Sequence, residues 1–337
     1  MPNRKPAILV LFCGGTIAMR QDSKTSALQP GLDVEELMAY APFLKEEFDI
    51  HVKTITNIDS TNIQPTHWIQ IADAIYKKYS EFDGFVVVHG TDTMSYTAAA
   101  LSFALQNLGK PIVLTGAQVP PHILGTDAIS NLVNACQAAT MDFAEVAIVF
   151  GTKILRGNRS MKVSESERNA FISPVFPELG SIRLQPEITN PETHRRHGGS
   201  LELKNAFSGN IAVLKIVPGM QPSIIEAITK TDIDGLILES FGPGNIPNQE
   251  NSLLPAITAA TKKGIPVLVS TQCIYGTTRM YLYEVGQQAM ELGVIPTSDM
   301  TPEATYVKLK WALAQSKDTQ SIKEIFEKDI AGEVAVG

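Results

Sequence analysis

The chain has few of the residues that settle a fold class or a chemistry by themselves. Of 337 residues only three are cysteine, namely Cys13, Cys136 and Cys273, far apart and odd in number. That excludes a disulfide framework and points to a reducing, cytoplasmic compartment. The six histidines show none of the spacings that hold a metal. There is no block of basic residues and the net charge is −7, which excludes a nucleic-acid or anionic-membrane surface as the expected partner. No apolar run is long enough to span a membrane. Arg4 and Lys5 precede the apolar residues 7–12 as they would in a signal peptide. That run is too short for a hydrophobic signal region and passes straight into Gly14-Gly15-Thr16, so it reads as a first strand.

What remains is ordinary apolar material, 44% hydrophobic residues, in a chain longer than one core usually serves. The most informative stretch is Phe85-Val86-Val87-Val88-His89-Gly90-Thr91-Asp92-Thr93-Met94. A β-branched run stops at a glycine, and an apolar helical pattern follows over residues 95–108. The same design opens the chain, with Cys13-Gly14-Gly15-Thr16 closing the first strand. Residues 51–56 alternate like a strand and end in Asn57-Ile58-Asp59-Ser60-Thr61-Asn62. A helix begins at Pro65-Thr66, a strand spans 112–114 and ends at Thr115-Gly116-Ala117-Gln118, Thr126 or Asp127 caps a helix to residue 139, and a strand spans 146–150. This alternation predicts an α/β fold with a doubly wound, mainly parallel sheet. The breaker-rich residues 186–208, with Arg195, Arg196 and two histidines, read as a solvated linker. Strands at 211–217, 235–238 and 265–269, with intervening helices, then predict a smaller second α/β domain over residues 209–337. The first domain is residues 1–185.

Open sheets bind ligands just beyond the carboxyl ends of their strands. Each strand end here offers glycine and a hydroxyl. Cys13-Gly14-Gly15-Thr16 lacks the spacing of a dinucleotide loop, and no phosphate-binding lysine follows, so no nucleotide cofactor is expected. Thr16 is either the cap of a tight turn or a nucleophile whose neighbouring backbone N–H groups hold an oxyanion. Thr91 and Asp92 are either a helix cap or a fixed hydroxyl and carboxylate at a strand end. Lys162 alone reads as a surface lysine. Cys136 and Cys273 read as packing residues.

Taken together, Gly-Gly-Thr-Ile-Ala at the first strand end, Asp59-Ser60-Thr61 at the second, His89-Gly90-Thr91-Asp92-Thr93-Met94 at the third and the later Lys162 resemble the bacterial-type L-asparaginase/glutaminase family. The likeness is greatest to its cytoplasmic type I members. Asp299-Met300-Thr301-Pro302-Glu303-Ala304 matches its second domain. The resemblance implies hydrolysis of L-asparagine to L-aspartate and ammonia through a covalent acyl-enzyme, without metal or cofactor, in a homodimer or homotetramer. It implies Thr16 as nucleophile, with Thr91, Asp92 and Lys162 moving protons. It implies Gly15, Asp59, Ser60, Thr61, Gly90 and Ala117 as substrate-binding residues, with Ser60 on the α-carboxylate, Asp92 on the α-ammonium and the N–H groups of Gly15 and Thr91 on the oxyanion. Glu239 and Met161 do not match a regulatory second site.

Family members commonly carry a tyrosine on the loop after the first threonine. None occurs here between Ile17 and Ala39, and Thr25 or Ser26 stands roughly in its place. That loop is closer to the related subunit of archaeal tRNA-dependent amidotransferases. An ammonia-generating subunit acting with a partner is therefore the first alternative. Against it stand the acidic charge and a first strand near residue 7, expected to leave no room for an accessory domain. A catalytically weak amino-acid sensor is the second alternative.

Overall fold

A computed structural model describes residues 4–22, 25 and 27–335. Ser26 lies outside the described residues. The chain divides into two compact units, Met1–Asn205 and Ala206–Gly337. The first is built on an eight-stranded sheet in the order Pro186–Ile188, Gly180–Ile182, Lys153–Arg156, Val146–Phe150, Ile112–Thr115, Gly84–Val88, Ala7–Gly14, Asp49–Ile58. The last five strands of that order run parallel, and the pairings beyond Val146–Phe150 are antiparallel. The inner strands read as unbroken apolar runs because helices cover both faces: every residue of Ala7–Gly14, Gly84–Val88, Ile112–Thr115 and Val146–Phe150 is buried.

Strand order fixes where a ligand can enter. From Ala7–Gly14 the chain goes to a neighbour on one side, Asp49–Ile58, and then to Gly84–Val88 on the other. Strand order reverses at this point, so the loops after these strands splay apart and open a crevice. The register also breaks here. Phe12 pairs with Thr54, but Gly14 pairs with Ile58, and Gly14 and Gly15 both have φ +91°. Only glycine adopts that backbone without strain.

Several elements differ from the sequence expectation. The helix expected over 95–108 is Met94–Ala104; Leu105–Gln106 leaves it as a strand paired with Glu202–Leu203. Residues 186–205, expected as a linker, fall within the first unit, although much of the stretch is exposed. Pro186–Ile188 is the outermost strand of the large sheet. Arg196 donates to the carbonyls of Asp83, Ala139 and Met141 at 2.6–3.0 Å, tying this stretch to the end of the Ala128–Ala138 helix. Asp127 precedes that helix without capping it through its side chain. Its carboxylate accepts instead from the N–H groups of Gln118 and Val119 and from the Asn131 amide. Cys136 is buried as expected, with burial pushing its thiol up to about 12, whereas Cys273 is exposed rather than packed.

The second unit is a parallel sheet of Ile211–Lys215, Gly235–Ser240, Val267–Thr271 and Ile295–Pro296 in sequential order. Its core gathers Leu236, Leu238, Val267, Val269 and Ile257 on one side, and Leu268, Leu309, Ala312 and Ile322 on the other. A fully buried ion pair, Lys308 with Glu333, ties the C-terminal segment to the Pro302–Gln315 helix. Among the described residues no helix is long and apolar enough to cross a membrane, and no group of three or more His, Cys, Asp or Glu could hold a metal ion.

Two stability predictions follow from buried charge. Arg156 donates twice to Glu145, at 2.6 and 2.9 Å, and the same carboxylate accepts from His194 N–H. Arg156→Met strands that carboxylate, for an expected loss of ~3–5 kcal/mol in urea unfolding. The double change with Glu145→Met loses less than Arg156→Met alone; equal or greater loss contradicts the account. Glu303 Oε2 is enclosed without a partner, and burial, aided by the Glu239 carboxylate, raises its carboxyl from 4.5 to about 7. The native state therefore holds a proton there that the unfolded chain releases above pH 4.5. Stability from this group is intact below pH 4.5 and declines as pH rises to about 7. Glu303→Gln removes that part of the slope, measured as unfolding midpoint against pH.

Candidate functional site

The site begins as backbone contact. A Cβ on Gly15 would lie 2.3 Å from Gly90 Cα, and one on Gly90 would lie 2.7 Å from both Cβ and Oγ of Ser60. Three strand ends thus touch through atoms that only glycine leaves bare. Thr16 and Thr91 are the residues immediately after the two glycines. Thr16 opens a single 3₁₀ turn, Thr16–Ala18, and is partly accessible. Thr91 is 6% exposed.

Lys162 joins this group from the short strand Met161–Lys162, which pairs with Phe171–Ile172. Its Nζ lies 2.7 Å from Thr91 Oγ1 and donates to Asp92 Oδ1 at 2.6 Å. Lys162 is largely buried while the Asp92 side chain is 55% exposed, so the pair spans the boundary between core and solvent. Ser60 is buried, and its carbonyl accepts from Thr93 Oγ1 at 2.8 Å. Asp59 caps the turn Ser60–Asn62, its Oδ1 accepting from both the N–H and the hydroxyl of Thr61 at 2.9 Å. Asp59 and Thr61 therefore satisfy each other. Ala117 is buried beside Gln118.

The Gly15 N–H, expected as an oxyanion donor, is engaged: it donates to the Ile58 carbonyl at 3.2 Å. Among the described residues Thr91 N–H finds no backbone acceptor, so of the two expected donors it is the one left open. The Thr25 hydroxyl donates to Asp22 Oδ1 at 3.0 Å, beyond the paired strands Met19–Gln21 and Leu28–Pro30.

Sequence reasoning gave no role to four residues that frame this site. Gln118 accepts weakly from Thr91 Oγ1 at 3.5 Å and donates to the carbonyl of Glu167 at 3.2 Å, joining the Thr91 loop to the segment after Lys162. His89 is fully buried between Gly90 and Thr97, and Trp68 reaches Thr97 from the Pro65–Lys78 helix. Burial pushes His89 down to about 4, so the imidazole is neutral near pH 7. A signal was present: a histidine closing an all-apolar strand is buried polar material and needs partners. Their identity was not legible, because Thr97 and Trp68 lie on helices whose rotation only packing sets.

Comparison with known proteins adds family. Residues 7–194 match the profile "Asparaginase, N-terminal" and residues 210–326 match "Glutaminase/Asparaginase C-terminal domain". The chain is 36% identical over 337 residues to L-asparaginase 1 of Escherichia coli (strain K12), covering 98% of each. It is 37% identical over 344 residues to a glutamyl-tRNA(Gln) amidotransferase subunit of Pyrococcus horikoshii, covering 98% of this chain and 77% of that one. It superposes on the thermostable L-asparaginase from Thermococcus kodakarensis with a TM-score of 0.92 at 36% identity, covering 98% of this chain and all of the other. With both profiles matched in order and full-length relatives well above 30% identity, the chain belongs to the asparaginase/glutaminase family.

Proposed function

We propose that the protein hydrolyses the side-chain amide of L-asparagine, releasing L-aspartate and ammonia through an ester on Thr16. The observation that carries this reading is the Gly15–Gly90 contact, which brings the backbone beside two hydroxyl residues to one crevice, one of them hydrogen-bonded to Lys162, which also donates to Asp92. A threonine hydroxyl is a weak nucleophile and needs a proton acceptor. In the proposed reaction Thr16 Oγ attacks the amide carbon, and its proton passes through Thr91 and Lys162. The carbonyl oxygen becomes an oxyanion held by the Thr91 N–H. The C–N bond then breaks, the proton is delivered to the leaving nitrogen, and ammonia departs. Water attacks the ester in the second half-reaction, one of its protons returns to Thr16 Oγ, and aspartate is released. Ser60 takes the α-carboxylate and Asp92 the α-ammonium, with Asp59 and Thr61 holding the Ser60 turn. This reading takes the protein as cytoplasmic and homo-oligomeric, with no cofactor in the chemistry.

A second reading has its own support. The likeness to the amidotransferase relative is as close as that to the asparaginases, and the loop after Thr16 lacks a tyrosine. On that reading the same site supplies ammonia to a partner that acts on misacylated tRNA. Purified protein releasing ammonia from free asparagine favours the first reading. Release appearing only with a partner and tRNA favours the second.

The substitutions separate the roles. Thr16→Ala and Thr91→Val are each expected to lower kcat by at least ~10³-fold with the unfolding transition retained, as expected for removing members of a reacting unit. Near-full activity in Thr16→Ala would refute the nucleophile assignment. Lys162→Met is expected to cost ~10²–10⁴ in kcat. Ser60→Ala should mainly raise KM, since its contact with the α-carboxylate is the same in substrate and transition state.

A further inference from the structure

A buried chain of three side chains ends on the peptide bond that the proposed reaction uses. His89 closes the Gly84–Val88 strand, its N–H donating to the Thr115 carbonyl at 2.9 Å. Its side chain is wholly enclosed. Nδ1 lies 2.7 Å from the Gly90 carbonyl oxygen, Nε2 lies 2.9 Å from Thr97 Oγ1, and Trp68 Nε1–H donates to the same Thr97 oxygen at 3.1 Å.

The chemistry of these groups fixes every hydrogen. A carbonyl oxygen only accepts, so Nδ1 bears the imidazole hydrogen. An indole N–H only donates, so Thr97 accepts from Trp68 and turns its own hydrogen to Nε2. The result is one neutral tautomer in a one-way chain, Trp68 to Thr97 to His89 to Gly90. Burial, which holds the imidazole neutral, agrees with it.

The target of the chain matters. The Gly90 carbonyl and the Thr91 N–H belong to one planar trans peptide unit, so they point in opposite directions. Holding the oxygen on the His89 side therefore aims the N–H away from it. Glycine at position 90 is needed for the close approach to Gly15 and Ser60, yet it leaves this peptide without a side chain to resist rotation. We propose that His89 is a positioning residue that aims the Thr91 N–H at the substrate oxygen by binding the Gly90 carbonyl, with Thr97 and Trp68 setting its tautomer. The proposal rests on the reading of Thr91 N–H as the oxyanion donor.

The test pairs kinetics with spectroscopy on the full-length protein. His89→Leu fills much of the space without a donor. His89→Asn keeps an N–H close to where Nδ1–H stood. Both variants are first matched for unfolding temperature, so that loss of packing is not read as loss of aim. His89→Leu is expected to lower kcat for L-asparagine by ~10²-fold with KM within about threefold, the scale of one lost oxyanion donor. His89→Asn should recover most of that loss. Thr97→Val, which removes the hydrogen facing Nε2, should lower kcat in the same direction. Nitrogen-15 NMR of the histidine rings should show His89 as the neutral Nδ1–H form between pH 6 and 8. A His89→Leu enzyme with kcat within twofold of wild type overturns the positioning role. An Nε2–H or doubly protonated ring overturns the hydrogen-bond assignment. A wild-type protein that releases no ammonia from asparagine or glutamine overturns the functional reading instead, and the NMR result then still decides whether the chain of donors exists.

Discussion

The structure around the crevice depends on one contact, the approach of Gly15 to Gly90. A side chain on either residue would collide with backbone or with Ser60 at well under 3 Å. Because neither has one, the ends of three adjacent strands close to a distance that no other residue pair allows. The threonines that follow each glycine are carried along. Gly15 also needs its φ of +91°, so the position is specified twice, once by space and once by backbone conformation. The sheet supplies the rest. Strand order reverses between Ala7–Gly14 and Gly84–Val88, so the loops diverge and leave a crevice where the glycines meet.

Such a site sets polar groups at the rim of a largely apolar core, and the structure answers by pairing them. Ser60, Asp59, Thr61 and Thr93 exchange hydrogen bonds around one turn. Asp127 spends its carboxylate on two backbone N–H groups of the Gln118–Val119 turn rather than on its own helix. Thr115 turns its hydroxyl to the Val149 carbonyl at 2.8 Å. Each pairing removes the desolvation penalty of a buried polar group and also fixes a loop that would otherwise have several conformations. The same bonds therefore serve stability and geometry together.

The pattern of elements was readable because it depends on local chemistry. β-branched runs stopping at a glycine marked the inner strands, and the Thr-Asp-Thr and Gly-Gly-Thr ends marked the two threonines that follow the touching glycines. The segment Asp299 to Ala304, which carried the resemblance to the second domain, holds the start of the Pro302–Gln315 helix with Thr301 as its cap. What was not readable depends on register and rotation. The departure of Leu105 from its helix follows from a partner strand nearly a hundred residues later. Arg196 looked like a solvated charge, since nothing nearby in sequence reveals that three carbonyls await it. The use of Gly15 N–H by Ile58 follows from the register break between Phe12 and Gly14, a feature of the pairing and not of either strand alone.

The hydroxyl of Thr91 shows why those long-range partners matter to the proposed chemistry. Its oxygen lies 2.7 Å from Lys162 Nζ, and its one hydrogen faces a weak acceptor in Gln118 at 3.5 Å. A hydroxyl held strongly on its oxygen and loosely through its hydrogen can rotate that hydrogen at little cost. When Lys162 donates, the hydrogen is free for Gln118 or for a bound ligand. When Lys162 accepts, the same hydrogen turns to the lysine. On the proposed reading Thr91 therefore passes a proton in either direction without moving its backbone, whose preceding peptide is bound by His89 at the Gly90 carbonyl. Asp92, half in solvent, accepts from the same lysine at 2.6 Å and so fixes where its Nζ sits beside the Thr91 hydroxyl. The proposed proton route thus depends on the same constraint that places the loop, because a hydroxyl can rotate usefully only on a backbone that does not.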